Sequence, residues 1–336
     1  MNEFELIARY FSRPPRDTGF VAQAGGDDCA LLSLGERQLA VTTDLLVEGR
    51  HFLPDVDPAA LGYKVLAVNL SDLAAAGATP RCFFLALALP RVEPAWLDAF
   101  CAGLYALADA HDCVLAGGDT TRAAPVAQGQ GPRTICITAL GEVPAGLAHG
   151  RAGAQPGDDL WVSGTLGDAA LALAHLLGRA QLAPAALAQV RPRLERPPPR
   201  VALGVALRGL ATACIDVSDG LAGDAAHIAA RSGVQLDIDT AALPVCAVLG
   251  AQPERLRLRC ALAGGDDYEL LFTAPPQRRA QVQAAARAAG VGVSRIGRVG
   301  AGQGVRLLDA AGQPLAAGWR GYDHFAADPA TEATDP

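Results

Sequence analysis

Apolar and polar positions along the chain switch repeatedly between a period of two and a period near three and a half. In the first half, residues 38–44, 81–89 (RCFFLALAL), 113–117 (CVLAG) and 133–143 (RTICITALGEV) read as strands. Residues 58–76 and 94–111 read as helices, and Pro94 suits a first helical turn. The opening MNEFELIARYF reads as a short amphipathic helix with Phe4, Ile7 and Phe11 on one face. GRAGAQPGDD, residues 150–159, has loop composition and divides the chain into 1–149 and 150–326, with 327–336 as a flexible tail. Beyond it, a strand ending in WVSG precedes a helix at 166–177. RPRLERPPPR, 191–200, reads as a helix break and rigid connector. A helix at 219–231, a strand at 234–238 and a helix at 253–262 follow. A strand at 268–274 and a helix at 276–289 come next. GAGQG, 300–304, mimics a dinucleotide fingerprint but leads into strand-like VRLL, so it reads as a hairpin turn. Strands interleaved with helices predict an α/β (α+β) protein of two domains.

The bulk numbers narrow the function classes. A chain of 336 residues is long enough for two real cores. The net charge of −7 argues against a nucleic-acid partner, which needs a basic stripe. No apolar run approaches the ~20 residues needed to cross a bilayer. The N-terminus carries acids early and lacks the pattern of a secretory signal, so the expectation is a cytoplasmic protein with no membrane partner. Eight cysteines are scattered with no C-x-x-C pair, which suits reduced, buried thiols. The one lysine, Lys64, sits in LGYKVL, where a P-loop would need glycine before it and Ser or Thr after it. Any nucleotide must therefore be held another way.

The acids collect at the ends of apolar runs. The instances are GGDDCALL (Asp27, Asp28), TTD (Asp44), NLSD (Asp72), LAGGDTT (Asp119), CIDVSDG (Asp216, Ser218, Asp219) and LAGGDDYEL (Asp266, Asp267). Taken singly, each is a helix cap or turn, with Asp219 ahead of its helix a ready example. Capping does not call for doubled Asp-Asp or for six such turns. If the acids converge, two like charges ~4 Å apart cost about 4 kcal/mol at an effective dielectric near 20, and hard divalent cations remove that cost. Carboxylates with Thr and Ser hydroxyls select Mg²⁺, Ca²⁺ or Mn²⁺ over Zn²⁺. Mg²⁺ shared with substrate phosphates fits best, since no EF-hand loop is present.

The colinear set GGDDCALL, VTTDLLVEGRHF, AVNLSDLAAAGATP, AGGDTTR, SGTLGDAALAL, IDVSDGL, GGDDYELLFT and WRGYDHF resembles the thiamine-monophosphate kinase family. That family lies in a superfamily of ATP-using enzymes related to aminoimidazole ribonucleotide synthetase. The resemblance runs from Phe4 to Phe325. It implies a two-domain fold like that of the synthetase, with a C-terminal α/β sandwich, and a homodimer joined through the N-terminal sheets. It also implies direct transfer of the ATP γ-phosphate to thiamine monophosphate. By motif, Asp28, Thr42, Thr43, Asp44, Asp72, Asp119, Asp216 and Asp219 resemble magnesium ligands. Gly118 with Asp119, Arg151, Ser218 and Tyr105 resemble ATP contacts. His51, Asp266 and Tyr322 resemble contacts to thiamine monophosphate. The family's last acid turn is usually GGEDYEL, so Asp266 is one methylene shorter than the usual Glu.

Two rival readings remain at this point. One is another ATP-using enzyme of the superfamily. Selenophosphate synthesis would want a reactive Cys or selenocysteine with a lysine in an N-terminal glycine-rich segment, and the carbamoyl-handling relative would want a C-terminal cysteine, where this sequence reads ATDP. The other is a non-catalytic metal-binding protein, which would gain stability from metal without turning over ATP.

Overall fold

The computed structural model describes residues 3–11, 19–126, 129–315, 318–319 and 321. Tyr322 and the expected tail, 327–336, lie outside them. Two six-stranded mixed sheets carry the fold, one from each half. The first has β1 (Val21–Gln23), β2 (Ala30–Leu34), β3 (Arg37–Val47), β4 (Thr79–Leu89), β5 (Val114–Arg122) and β6 (Thr134–Pro144). Its order is β1-β2-β3-β6-β4-β5, antiparallel except for the β4–β5 pair. The second has β7 (Asp159–Ser163), β8 (Ala213–Val217), β9 (Gln235–Asp239), β10 (Glu269–Ala274), β11 (Val293–Gly300) and β12 (Gly304–Leu308). Its order is β12-β9-β11-β7-β10-β8.

Helix α1 (Glu3–Tyr10) forms, with Ile7 and Phe11 exposed at 43 and 73%. Helix α2 (Pro58–Ala75) starts where Asp57 accepts a bond from the Ala59 amide and Pro58 occupies the first turn. Fourteen of its residues are buried, so it is covered on nearly all sides, as a helix lodged between two layers must be. It packs on α3 (Pro94–Ala110) through Gly62 and Gly103, where a Cβ would strike the backbone carbonyls of Phe100 and Ala59. One apolar core joins α2 and the first sheet to Trp161, Leu203, Cys214, Leu270 and Phe272 of the second half.

The second half adds α4 (Asp168–Leu176), α5 (Pro184–Glu195), α6 (Val201–Ala206), α7 (Leu221–Ser232), α8 (Ala247–Gly250), α9 (Glu254–Ala263) and α10 (Arg279–Ala288). Three expectations change here. The proline-rich stretch does not break the chain at 191: α5 continues through Pro192 to Glu195. Ala188, whose carbonyl loses its helical partner to Pro192, is exposed and can bond water. The segment 300–304 is a turn, but not of a hairpin, because β11 and β12 both pair with β9 and so flank it. Asp219 does not cap α7. Gly220 occupies that position, and Asp224 reaches back from inside the helix to accept the Asp219 and Gly220 amides at 3.2 and 3.1 Å.

Candidate active site

Strand β3 runs three residues past Asp44, so Thr42, Thr43 and Asp44 lie within a strand and not at its exit. Successive strand residues face opposite ways. Thr42 and Asp44 look inward to α2, and the Thr42 hydroxyl donates to Asp72 Oδ2. Thr43 looks outward, where its hydroxyl lies 2.9 Å from that of Thr138 on β6.

Four elements converge on the inner side. Asp28 comes from the loop before β2, Asp44 from β3, Asp72 from α2 and Asp216 from β8. Carboxylate oxygens of Asp28, Asp72 and Asp216 lie within 4.8 Å of one another. Ser71, beside Asp72, donates to Asp216 at 2.6 Å. Burial pushes the Asp28 carboxyl up to about 7, and the charges of Asp216 and Asp27 add to it against Arg151. Burial likewise lifts Asp44 and Asp216 to about 6, with Asp219 raising both through its charge. Asp72 rises well above the ordinary carboxylate range from burial and then from Asp44, Asp216 and Asp28. Asp44 Oδ2 is buried and has no hydrogen-bond partner among the described residues. Like charges at that spacing cost about 3–4 kcal/mol per pair at an effective dielectric of 20. A buried, hard-oxygen donor set with an orphaned carboxylate oxygen fits a divalent cation.

Arg151 borders the cluster. Its guanidinium donates to Asp28 Oδ1 from Nη2 at 2.5 Å and from Nε at 3.2 Å. Its own amide donates to Asp27 at 2.6 Å. Each doubled acid therefore divides its work. Asp27 serves the backbone while Asp28 joins the cluster. Asp267, buried, accepts the Gly167 amide with both oxygens at 2.9 Å, while Asp266 pairs with Lys64 at 2.8 Å. The backbone of Ser218 accepts the Asp266 amide at 2.8 Å, which ties the two acid turns together. His51 Nδ1 accepts the Val47 amide at 3.0 Å at the end of β3.

Asp119 does not join the cluster within this chain. The strand expected to end at 117 continues to Arg122, which places Gly118 and Asp119 inside edge strand β5. Asp119 pairs with Ala86 and shares the outward face with Phe84 and Thr43. Three inter-strand spacings, roughly 14 Å, separate it from β3. Tyr105, 43% exposed on α3, lines a groove with Cys113, Val114 and Leu115 on the same side of the molecule as the β5 edge.

Sequence reasoning used Lys64 only to exclude a P-loop and passed over Ser71, Asp224 and Tyr268. Ser71 had a signal: it neighbours Asp72 in NLSD. Asp224 and Tyr268 act on residues two to five positions away, in the acid turns themselves. Only the contact of Lys64 with Asp266 joins distant segments and leaves no local trace.

Two family models, described as AIR synthase related protein, N-terminal domain and C-terminal domain, match residues 26–143 and 155–310. The thiamine-monophosphate kinase of Salmonella typhimurium is 47% identical over 328 residues, covering 96% of this chain and 98% of that protein. The crystal structure of thiamine-monophosphate kinase from Stenotrophomonas maltophilia K279a is 45% identical with a TM-score of 0.76, covering 87% of this chain and 92% of that one. A structure of AaThiL complexed with AMPPCP and TMP is 31% identical with a TM-score of 0.80, covering 96% of this chain and 97% of that one.

Proposed function

This chain belongs to the thiamine-monophosphate kinase family of AIR synthase related proteins and is a phosphotransferase, and from that membership we propose how its site works. It moves the γ-phosphoryl group of ATP directly onto the phosphate of thiamine monophosphate, giving thiamine diphosphate and ADP. The observation that carries this reading is the buried meeting of Asp28, Asp72 and Asp216 beside Asp44, whose Oδ2 has no hydrogen-bond partner among the described residues.

Asp28, Asp44, Asp72 and Asp216 would hold Mg²⁺, with Asp219 and the Thr42 hydroxyl at the margin. When bound, Mg²⁺ supplies positive charge that offsets these carboxylates and the phosphate oxygens brought among them. Arg151, held by Asp28, is placed to clamp an ATP phosphate with a planar fork. Ser218 sits between the cluster and the Asp266 turn. An acceptor phosphate is already anionic near neutral pH, so no general base is required, and the chain's task is alignment. Asp266 offers negative charge to the cationic ring of the acceptor, and His51 and Tyr322 complete its contacts.

The outward face of the first sheet needs cover. Leu45, Phe84 and Val114 lie exposed on it at 53, 42 and 65%, beside Thr43 and Asp119. A homodimer joined through these faces takes that apolar surface out of water. It also gives Gly118, Asp119 and Tyr105 a site to serve, at the junction of two copies. Residues 1–149 and 150–326 act as the two domains, in the cytoplasm. Among the described residues no helix is long and apolar enough to cross a membrane.

The test is to incubate the protein with ATP, Mg²⁺ and thiamine monophosphate and to follow thiamine diphosphate by chromatography. Product that disappears when Mg²⁺ is omitted supports the reading. A folded protein that gains thermal stability from Mg²⁺ but makes no product is the non-catalytic alternative.

A further inference from the structure

Lys64 is the only lysine in the chain, and it is buried at 4% exposure. Its ammonium lies 2.8 Å from Asp266 Oδ1, and the Tyr268 hydroxyl donates to that same oxygen at 3.2 Å. Both contacts fall on one oxygen. Asp266 Oδ2 has no protein partner among the described residues, and the side chain stays 27% exposed. The turn itself is held in an uncommon shape. Asp266 and Tyr268 have φ of +68° and +51°, a region that non-glycine residues adopt at a cost. Backbone bonds of 2.8 Å from Asp266 to Ser218 and from Tyr268 to Val217 keep it there.

Helix α2 sets the geometry from the other side. Ser71 and Asp72 follow Lys64 by seven and eight residues, so they share its face two turns on, roughly 11 Å along the axis. Ser71 holds Asp216, and Asp72 belongs to the carboxylate cluster. One rigid helix thus anchors the cluster at one end and aims Asp266 at the other. A substrate with a cation at one end and a phosphate at the other must meet both anchors.

We propose that Lys64 is a positioning residue for the acceptor: it occupies Asp266 Oδ1 and so presents Oδ2 to the cationic ring of thiamine monophosphate. The inference rests on the thiamine monophosphate reading above. It also supplies a reason why Asp serves where the family pattern has Glu, since the lysine fixes the aim of the shorter side chain. A purely structural tie between α2 and the turn would affect melting and leave substrate selectivity alone.

Steady-state kinetics on the full-length protein, varying thiamine monophosphate and ATP separately, with a thermal melt of each variant, test this. Lys64→Met should raise KM for thiamine monophosphate about tenfold or more, the value of a charge-assisted hydrogen bond, with KM for ATP and kcat changed less than about twofold. Lys64→Arg keeps the charge but not the compact donor and should raise that KM by a smaller factor. It gives the answer if Lys64→Met does not fold. Asp266→Asn added to Lys64→Met should cost less than it does in the native background, because both act on one contact. A lowered melting temperature with both KM values unchanged overturns the inference, as does a loss confined to kcat. A native protein that makes no thiamine diphosphate overturns the underlying reading first. An active native protein with Lys64 variants of unaltered KM overturns only the role of Lys64.

Discussion

The two faces of the first sheet carry adjacent residues of the same strand and do different work. The inner face gathers Thr42, Asp44 and Asp72 in a buried, acid-rich volume where burial holds the carboxyls above their ordinary range. The outer face sets Thr43 and Asp119 among exposed Leu45, Phe84 and Val114. Inside, burial amplifies every charge and the site is assembled within one chain. Outside, charges are solvated and only another surface can make the residues act together. Neighbouring residues in sequence are thus assigned to different tasks by the two-residue period of a strand.

The largest test of this division lies inside. Asp44→Asn or Asp72→Asn should lower the rate of thiamine diphosphate formation by about 10²–10³-fold, as losing a preorganised charged group does. Thr43→Val should stay within about threefold, because its hydroxyl meets Thr138 on the other face. Equal losses for Asp44 and Thr43 would break the comparison.

The next test lies outside. Phe84→Glu places a charge in the apolar patch and should convert a dimer to a monomer by light scattering, with activity lowered about tenfold. A native protein that is a fully active monomer removes the role assigned to this face.

Acidity gives a smaller effect with a definite sign. The folded-state values of Asp28, Asp44 and Asp216, about 7, 6 and 6, lie above those of an exposed carboxylate. The folded protein then binds more protons than the unfolded one between about pH 4 and 7. Stability from these groups is present at low pH and is lost as pH rises through 6 to 7, unless a cation replaces the protons. The rise in melting temperature on adding Mg²⁺ to chelator-treated protein should therefore grow from pH 5 to pH 8. A flat or falling response would contradict this.

The smallest contrast is between paired acids. Asp27→Asn keeps a carbonyl oxygen for the Arg151 amide and should change activity less than about threefold. Asp28→Asn should behave like the cluster variants. Similar effects from both would mean that the doubled acids do not divide their work.

The acids of the candidate site are legible in the sequence, because acids at the ends of apolar runs announce themselves. Asp28, Asp44, Asp72 and Asp216 do meet. The misplacements have one cause. The strands were expected to stop at Asp44 and at Gly117, where polar residues begin, yet they run on to Val47 and Arg122. Thr43 and Asp119 thereby acquired a face, and it is the outer one. The stretch from 191 reads as a helix break, yet a helix runs from Pro184 to Glu195: Pro184 opens its first turn and the carbonyl facing Pro192 is at the surface.

The sequence alone determined the chemistry: a hard-oxygen donor set, one lysine and no P-loop, on alternating strands and helices. Those are matters of residue type and local period. The tertiary structure alone decided which acids share a volume, which member of each doubled pair serves the backbone, and that Lys64 on α2 meets Asp266. Charge interactions fall with distance through a packed interior, and that distance is set by how α2, the two sheets and their turns are stacked. Local pattern fixes the face a side chain takes; only packing fixes what it finds there.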